Sequence, residues 1–234
     1  MYDNRSITNE MSQSFAIVIL AAGASTQRGR PKQLLPYLGK TLVEHAARTA
    51  IASGADEIVV VVGSEAASIR KLLIGLPIRI VRNREWTEGI SSSIRCGIGA
   101  VRRDIKCAVI ALCDQPRITP ELLRSLASRH FATGCPIVAS SYDGVVGAPC
   151  AFGVDLFPTL NGLRGAAGAR EVIRHSLESV ETLEFSEGNV DVDPPTEFAG
   201  AISTVEVKSY RDEYQEPQFA RGPPRATLAC LSPA

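Results

Sequence analysis

A surplus of charge is the first thing this sequence lacks. Its 234 residues hold 25 Lys and Arg against 25 Asp and Glu, a formal net charge of zero, so no global field draws the chain to nucleic acid or to an anionic membrane. Phosphate chemistry has to rest on local charge. Long apolar runs are missing too, and none approaches the roughly 20 residues of a membrane span. Met1 to Ser14 is polar, carries both charge signs and has no signal-peptide core. These absences predict a cytoplasmic protein with neither nucleic acid nor membrane among its partners. The six cysteines (Cys96, Cys107, Cys113, Cys135, Cys150 and Cys230) are scattered singly, without a C-x-x-C or a local His-Cys cluster, which favours reduced, buried thiols over a zinc site. The three histidines, His45, His130 and His175, fall in segments that read as helices, as structural or surface residues rather than catalysts. No G-x-x-x-x-G-K-[ST] occurs, and Gly23 and Gly29 lack the G-x-G-x-x-G spacing, which argues against a Walker loop and against a dehydrogenase. No internal repeat is visible.

What is present is an ordinary globular composition, 45% hydrophobic and 21% charged, consistent with one core. Phe15 to Leu20 is an apolar strand. Thr41 caps a helix through Ser53 with Leu42, His45, Ala46, Thr49 and Ala50 on one stripe, and Glu57 to Gly63 holds the unbroken β-branched run of a strand covered on both faces. A helix from Glu65 to Leu73, a strand from Ile78 to Val81, a helix from Ser92 to Arg103 and a central strand from Cys107 to Leu112 follow. This rhythm predicts a doubly wound α/β sheet. Thr119 and Pro120 open a helix toward Phe131, and Pro136 to Ser140 is a further strand. Tyr142 to Gly147 reads as a hairpin turn, with Pro149 to Phe152 returning as the antiparallel member of a mixed sheet. A glycine-rich turn over residues 162–170 precedes a helix from Glu171 to Leu177, and Val180 to Phe185 is the last strand. One domain is expected over residues 15–208, between a polar extension at 1–14 and a mobile tail at 209–234.

Two places carry the chemistry. The first strand empties into Ala21-Ala22-Gly23-Ala24-Ser25 and then Lys32, and small residues there let backbone N–H groups converge on anionic oxygens while a lysine adds a point charge. Asp114 stands just past the carboxyl end of the central strand, where open α/β sheets bind ligands. Each has an ordinary alternative: a common tight turn, a solvated surface lysine, a carboxylate capping the turn at Gln115-Pro116. Asp191 and Asp193 point to opposite faces if extended, so at most one serves a common site.

In combination these residues match a family. Leu20-Ala21-Ala22-Gly23-Ala24-Ser25, Gly29, Lys32, Asn83-x-x-Trp86-x-x-Gly89-x-x-Ser92-Ser93, Asp114-Gln115-Pro116, Gly144-x-x-Gly147-x-Pro149-x-x-Phe152 and Asp191-x-Asp193-x-Pro195 together resemble the MobA-like nucleotidyltransferases. Within them the chain is most similar to the molybdenum cofactor cytidylyltransferases. The resemblance implies a three-layer α/β/α Rossmann-like nucleotidyltransferase fold with a mostly parallel mixed sheet. It also implies a nucleoside triphosphate held by the Leu20–Ser25 loop and Lys32, and Mg²⁺ held by Asp114 with Asp191 or Asp193. Asn83, Gly89, Ser92 and Ser93 are implied in nucleotide binding. The nucleotidyl group passes to a phosphate-bearing acceptor, with catalysis resting on Lys32 and Asp114. CTP with a molybdopterin-type acceptor is the leading pair, because guanylyl-transferring relatives tend to carry a second glycine at Ala22, and a molybdoenzyme or its chaperone is the implied protein partner. Transfer to a sugar phosphate, or nucleotide binding without turnover, are the alternatives. The chain departs from the family at Gln27, where arginine is usual, at Arg28, where a hydrophobic residue is usual, at Ala148 in place of histidine and at Ala166 in place of aspartate. Either Arg28 or Arg30 supplies a substitute for the missing arginine contact, or none does.

Overall fold

The computed structural model describes residues 13–24, 31–142, 145–176 and 179–185. Expectations placed on Ser25, Gln27, Arg28, Gly29, Arg30, Asp191, Asp193, Cys230 and the 209–234 tail lie outside the described residues.

The opening apolar run forms β1 (Phe15–Ala21), in which every side chain is buried. A small hairpin of β2 (Pro36–Tyr37) and β3 (Lys40–Thr41) follows. It leads into α1 (Leu42–Ala52), whose N-cap Thr41 accepts from the Glu44 N–H. The buried stripe of α1 is Leu42, Val43, Ala47 and Ala50 rather than the one expected. His45, Ala46 and Thr49 are half-buried on its flank, because the hairpin, α4 and the sheet cover this short helix from different sides. Next come β4 (Glu57–Val62), α2 (Ala66–Leu72) and β5 (Arg79–Arg82).

Helix α3 (Ile90–Ala100) starts two residues before Ser92 and stops short of Arg103. Its N-cap is Gly89, at a φ of 124° that L side chains rarely adopt, so the serines lie inside the first turn instead of capping it. Strand β6 (Cys107–Leu112) is followed by α4 (Pro120–Thr133), capped by Thr119 through the Leu122 N–H. Strands β7 (Ile137–Tyr142) and β8 (Val145–Gly153) make the predicted hairpin. Helix α5 (Phe157–Gly162), not expected from sequence, is too short for periodicity to mark; Pro158 in its first turn and fully buried Leu160 hold it. The chain continues through α6 (Ala169–His175), two residues earlier than expected at each end, to β9 (Val180–Glu184).

The seven-stranded sheet runs β5-β4-β1-β6-β8-β7-β9. Only β8 is antiparallel to its neighbours, and β1 is parallel to both β4 and β6. Side chains alternate across it: Ile17, Ile19, Val60 and Val62 join a cluster with Val43, Ile69, Leu123 and Leu126, from α1, α2 and α4. Val18, Leu20, Val59 and Val61 join a second cluster with Ile94, Leu160 and Ile173, from α3, α5 and α6. This is the three-layer α/β/α arrangement, and each fully buried aliphatic side chain contributes about 1.5–3 kcal/mol to it. Helix α3 approaches the sheet so closely at Gly97 that a Cβ there would strike Val18. Among the described residues no helix is long and apolar enough to cross a membrane.

Candidate active site

The chain moves outward from β1 to β4 and β5, then crosses back to β6 on the other side of β1, and a cavity of about 440 Å³ opens at this switch point beyond the strands' carboxyl ends. Strand β1 and its loop supply Leu20, Ala22, Gly23 and Ala24, and the turn after the loop supplies Lys32 and Gln33. Trp86 and Gly89 come from the turn before α3, Ile90 and Ser93 from its first turn, and Leu112, Cys113 and Asp114 from the end of β6 and the turn after it. The proposed anion loop and Lys32 thus share one cavity with Asp114. Ala21 is buried in the core cluster on the α1 side of the sheet. Asn83 and Ser92 are buried and do not line the cavity.

Asn83 and Ser92 act from behind the wall. The Asn83 Nδ2 donates to Ser92 Oγ at 2.8 Å and Ser93 Oγ at 3.1 Å, while its Oδ1 accepts from the Glu85 N–H. Ser92 spends its proton on the Gly89 carbonyl. Ser93 accepts from Asn83 and donates to no protein group among the described residues, so its hydroxyl proton is available to a ligand in the cavity it lines. Trp86 is half-buried, packing on the core cluster below and facing the cavity above.

The cavity's outer rim is tied down by charge. Glu88 accepts from Arg95 and from the Gly165 N–H, Arg95 also donates to the Leu163 carbonyl, and Ser91 donates to the Gly165 carbonyl at 2.6 Å. A Cβ at Gly89 would lie 2.5 Å from that same carbonyl. The hydrogen bonds from Arg95 are the main cause that brings the Glu88 carboxyl down from 4.5 to about 2. Because the folded value lies below the unfolded one, this clamp stabilises fully above pH 4.5 and is lost as pH falls toward about 2. Glu88→Gln is therefore expected to lower the thermal midpoint slightly at neutral pH, with the gap to wild type closing under acid in calorimetry. A gap that does not change with pH contradicts the clamp.

Cys113 is a neutral thiol, since burial, helped by the Asp114 carboxylate, pushes its pKa well up. The histidines bond to backbone carbonyls: His45 Nε2 to Pro116 at 2.9 Å, His130 Nδ1 to Cys135 and His175 Nδ1 to Glu171. His45 thereby props the turn that follows Asp114. Among the described residues no group of three or more His, Cys, Asp or Glu side chains gathers as a metal set. Asp114 is the one carboxylate of the described cavity wall, and its hard oxygens suit a divalent cation whose other ligands are substrate phosphates.

Sequence reasoning did not single out Gly63, Ser64 or Gln33. A Cβ at Gly63 would collide with the Ala22 carbonyl and come within 2.9 Å of the Trp86 Cβ. The following Ser64 donates its N–H to the Ala22 carbonyl and its hydroxyl to the Gly23 carbonyl. Only the β-branched run ending in glycine hinted at this close approach.

The model of the MobA-like NTP transferase domain matches residues 17–181. The chain is 34% identical to nicotine blue oxidoreductase of Paenarthrobacter nicotinovorans, over 76% of this chain and 91% of that protein. It is 30% identical to the purine catabolism protein PucB of Bacillus subtilis, over 77% and 92%. Among solved structures, Rv0371c of Mycobacterium tuberculosis superposes with a TM-score of 0.65 at 29% identity, covering 74% of this chain and 88% of that one. Its complex with manganese superposes with a TM-score of 0.58 over the same shares. With the matched region spanning the sheet from β1 to β9, the chain belongs to the MobA-like NTP transferase family and is a nucleotidyltransferase.

Proposed function

We propose that the enzyme transfers CMP from CTP to a molybdopterin-type cofactor and releases pyrophosphate, with Mg²⁺ as the divalent ion. The observation that carries this reading is the single cavity that joins the Ala22–Ala24 loop and Lys32 to Asp114. Backbone N–H groups of the loop and the Lys32 ammonium hold the triphosphate and take up charge as pyrophosphate leaves. The acceptor's phosphate oxygen attacks the α-phosphorus in line, forming one P–O bond as the bond to the β-phosphate oxygen breaks. A phosphate monoester is already ionised near neutral pH, so no general base is needed, in keeping with a described wall without histidine. Asp114, with Asp191 or Asp193, would hold the cation, which neutralises phosphate charge when bound. Ser93 donates to the nucleotide, and Asn83 and Ser92 orient that donor. The working unit is taken to be residues 15–208 in the cytoplasm, handing its product to a molybdoenzyme or its chaperone.

A second reading comes from the name of one relative, nicotine blue oxidoreductase, at 34% identity: hydride transfer in the same cavity. One panel separates the two. Pyrophosphate release is measured with CTP, GTP, ATP and UTP, each with Mg²⁺ and molybdopterin-type acceptor, beside NADH and NADPH oxidation with a quinone-type dye. CTP is expected to turn over fastest, with no oxidation of either nicotinamide. Binding of all four nucleotides without turnover favours a noncatalytic protein, and dye-dependent NADH or NADPH oxidation alone favours the oxidoreductase.

A further inference from the structure

The loop after β1 is held by its carbonyls. Two groups converge on the Gly23 oxygen, Gln33 Nε2 at 2.6 Å and Ser64 Oγ at 3.1 Å, while the Ser64 N–H takes the Ala22 oxygen at 3.2 Å. A carbonyl oxygen has two lone pairs, so both at Gly23 are occupied by protein donors and neither is presented to an anion. In a planar trans peptide the N–H of the next residue points opposite to the C=O. Holding the Gly23 carbonyl therefore fixes the direction of the Ala24 N–H, and Ala24 lines the cavity.

Gln33 makes this bond at a cost. It is 95% buried, and its Oε1 has no hydrogen-bond partner among the described residues. An apolar side chain of similar shape would avoid that cost. The amide cannot be turned to relieve it, because the Gly23 carbonyl requires the nitrogen end. A buried amide kept half-satisfied is what a demand for loop orientation, rather than for stability, produces.

We propose that Ser64 and Gln33 are positioning residues of the nucleotide site, holding the Gly23 carbonyl so that the Ala24 N–H is aimed at the triphosphate. This rests on the nucleotide reading above. It deepens that reading by assigning part of the phosphate recognition to a donor pair that reaches the loop from just past the end of β4 and from the turn that begins at Lys32. A preoriented amide needs no reorganisation as charge gathers on the departing pyrophosphate.

The test compares CTP with cytidine, by calorimetric titration and competition, on the full chain. For Gln33→Leu and Ser64→Ala we expect CTP affinity to fall about tenfold, the size of one lost hydrogen bond, with cytidine affinity unchanged. The thermal midpoint of Gln33→Leu is expected to stay level or rise, which a merely structural role would not produce. Ser64→Thr, which keeps a hydroxyl, should restore most of the CTP affinity, and this pair stands if Gln33→Leu does not fold. Equal losses for CTP and cytidine, or unchanged CTP affinity in both variants, overturn the proposal alone. A wild-type protein that binds CTP no more tightly than cytidine overturns it together with the nucleotide reading.

Discussion

Asp114→Ala is expected to lower nucleotidyl transfer about a thousandfold, in kcat more than in KM, while the protein still unfolds cooperatively within about 4 °C of wild type. Asp114 is half-buried in the turn after β6 and lines the cavity. Its loss therefore removes a charge and two hard oxygens from the cavity and little packing. Asp114→Asn sharpens the prediction. Asparagine serves a turn as well as aspartate does, so a carboxylate that merely caps Gln115-Pro116 tolerates the exchange. A carboxylate that holds a divalent cation does not. Loss of turnover in both variants, with the midpoint kept, supports the metal role, and near-normal activity of Asp114→Asn removes Asp114 from the site.

Lys32→Ala carries the second-largest expected effect, a loss of CTP affinity of about 10- to 100-fold, corresponding to a charged hydrogen bond of about 1.5–3 kcal/mol. The lysine opens the short turn that follows the loop after β1 and faces the same cavity as Gly23 and Ala24. Its charge acts on phosphates and not on a nucleoside, so cytidine affinity stays put. Lys32→Arg should recover part of the loss, since the charge remains while the donor geometry changes. An unchanged affinity in Lys32→Ala makes Lys32 a surface lysine.

The parts of the fold visible in sequence are those where one physical term dominates. The unbroken Val59-Val60-Val61-Val62 and the apolar β1 and β6 announce strands covered on both faces, and the α/β rhythm announces the crossovers. Helix α5 and the β2–β3 hairpin escaped because they are too short to show a period and depend on tertiary packing. The buried stripe of α1 differs from the sequence expectation since a helix packed on several partners buries more than one row of side chains. Lys32, Asp114 and the small-residue loop, which line one cavity, were legible as candidates because charge and lack of bulk are local properties. Their companions were not: Ser64 lies 41 positions from Gly23, and nothing in its neighbourhood says that β4 runs beside β1. Asn83 carried a signal, but its work is to hold Ser92 and Ser93, a distinction only distances draw.

The central claim, nucleotidyl transfer in the cavity between the β1 loop and Asp114, is tested most directly by following the α-phosphate. Wild type and Asp114→Asn are given CTP labelled at the α-phosphorus, Mg²⁺ and a molybdopterin-type acceptor, and labelled acceptor and pyrophosphate are counted together. The account predicts one labelled acceptor per pyrophosphate from wild type and neither product from the variant. Label that stays in CTP with wild type, or pyrophosphate released without labelled acceptor, contradicts it.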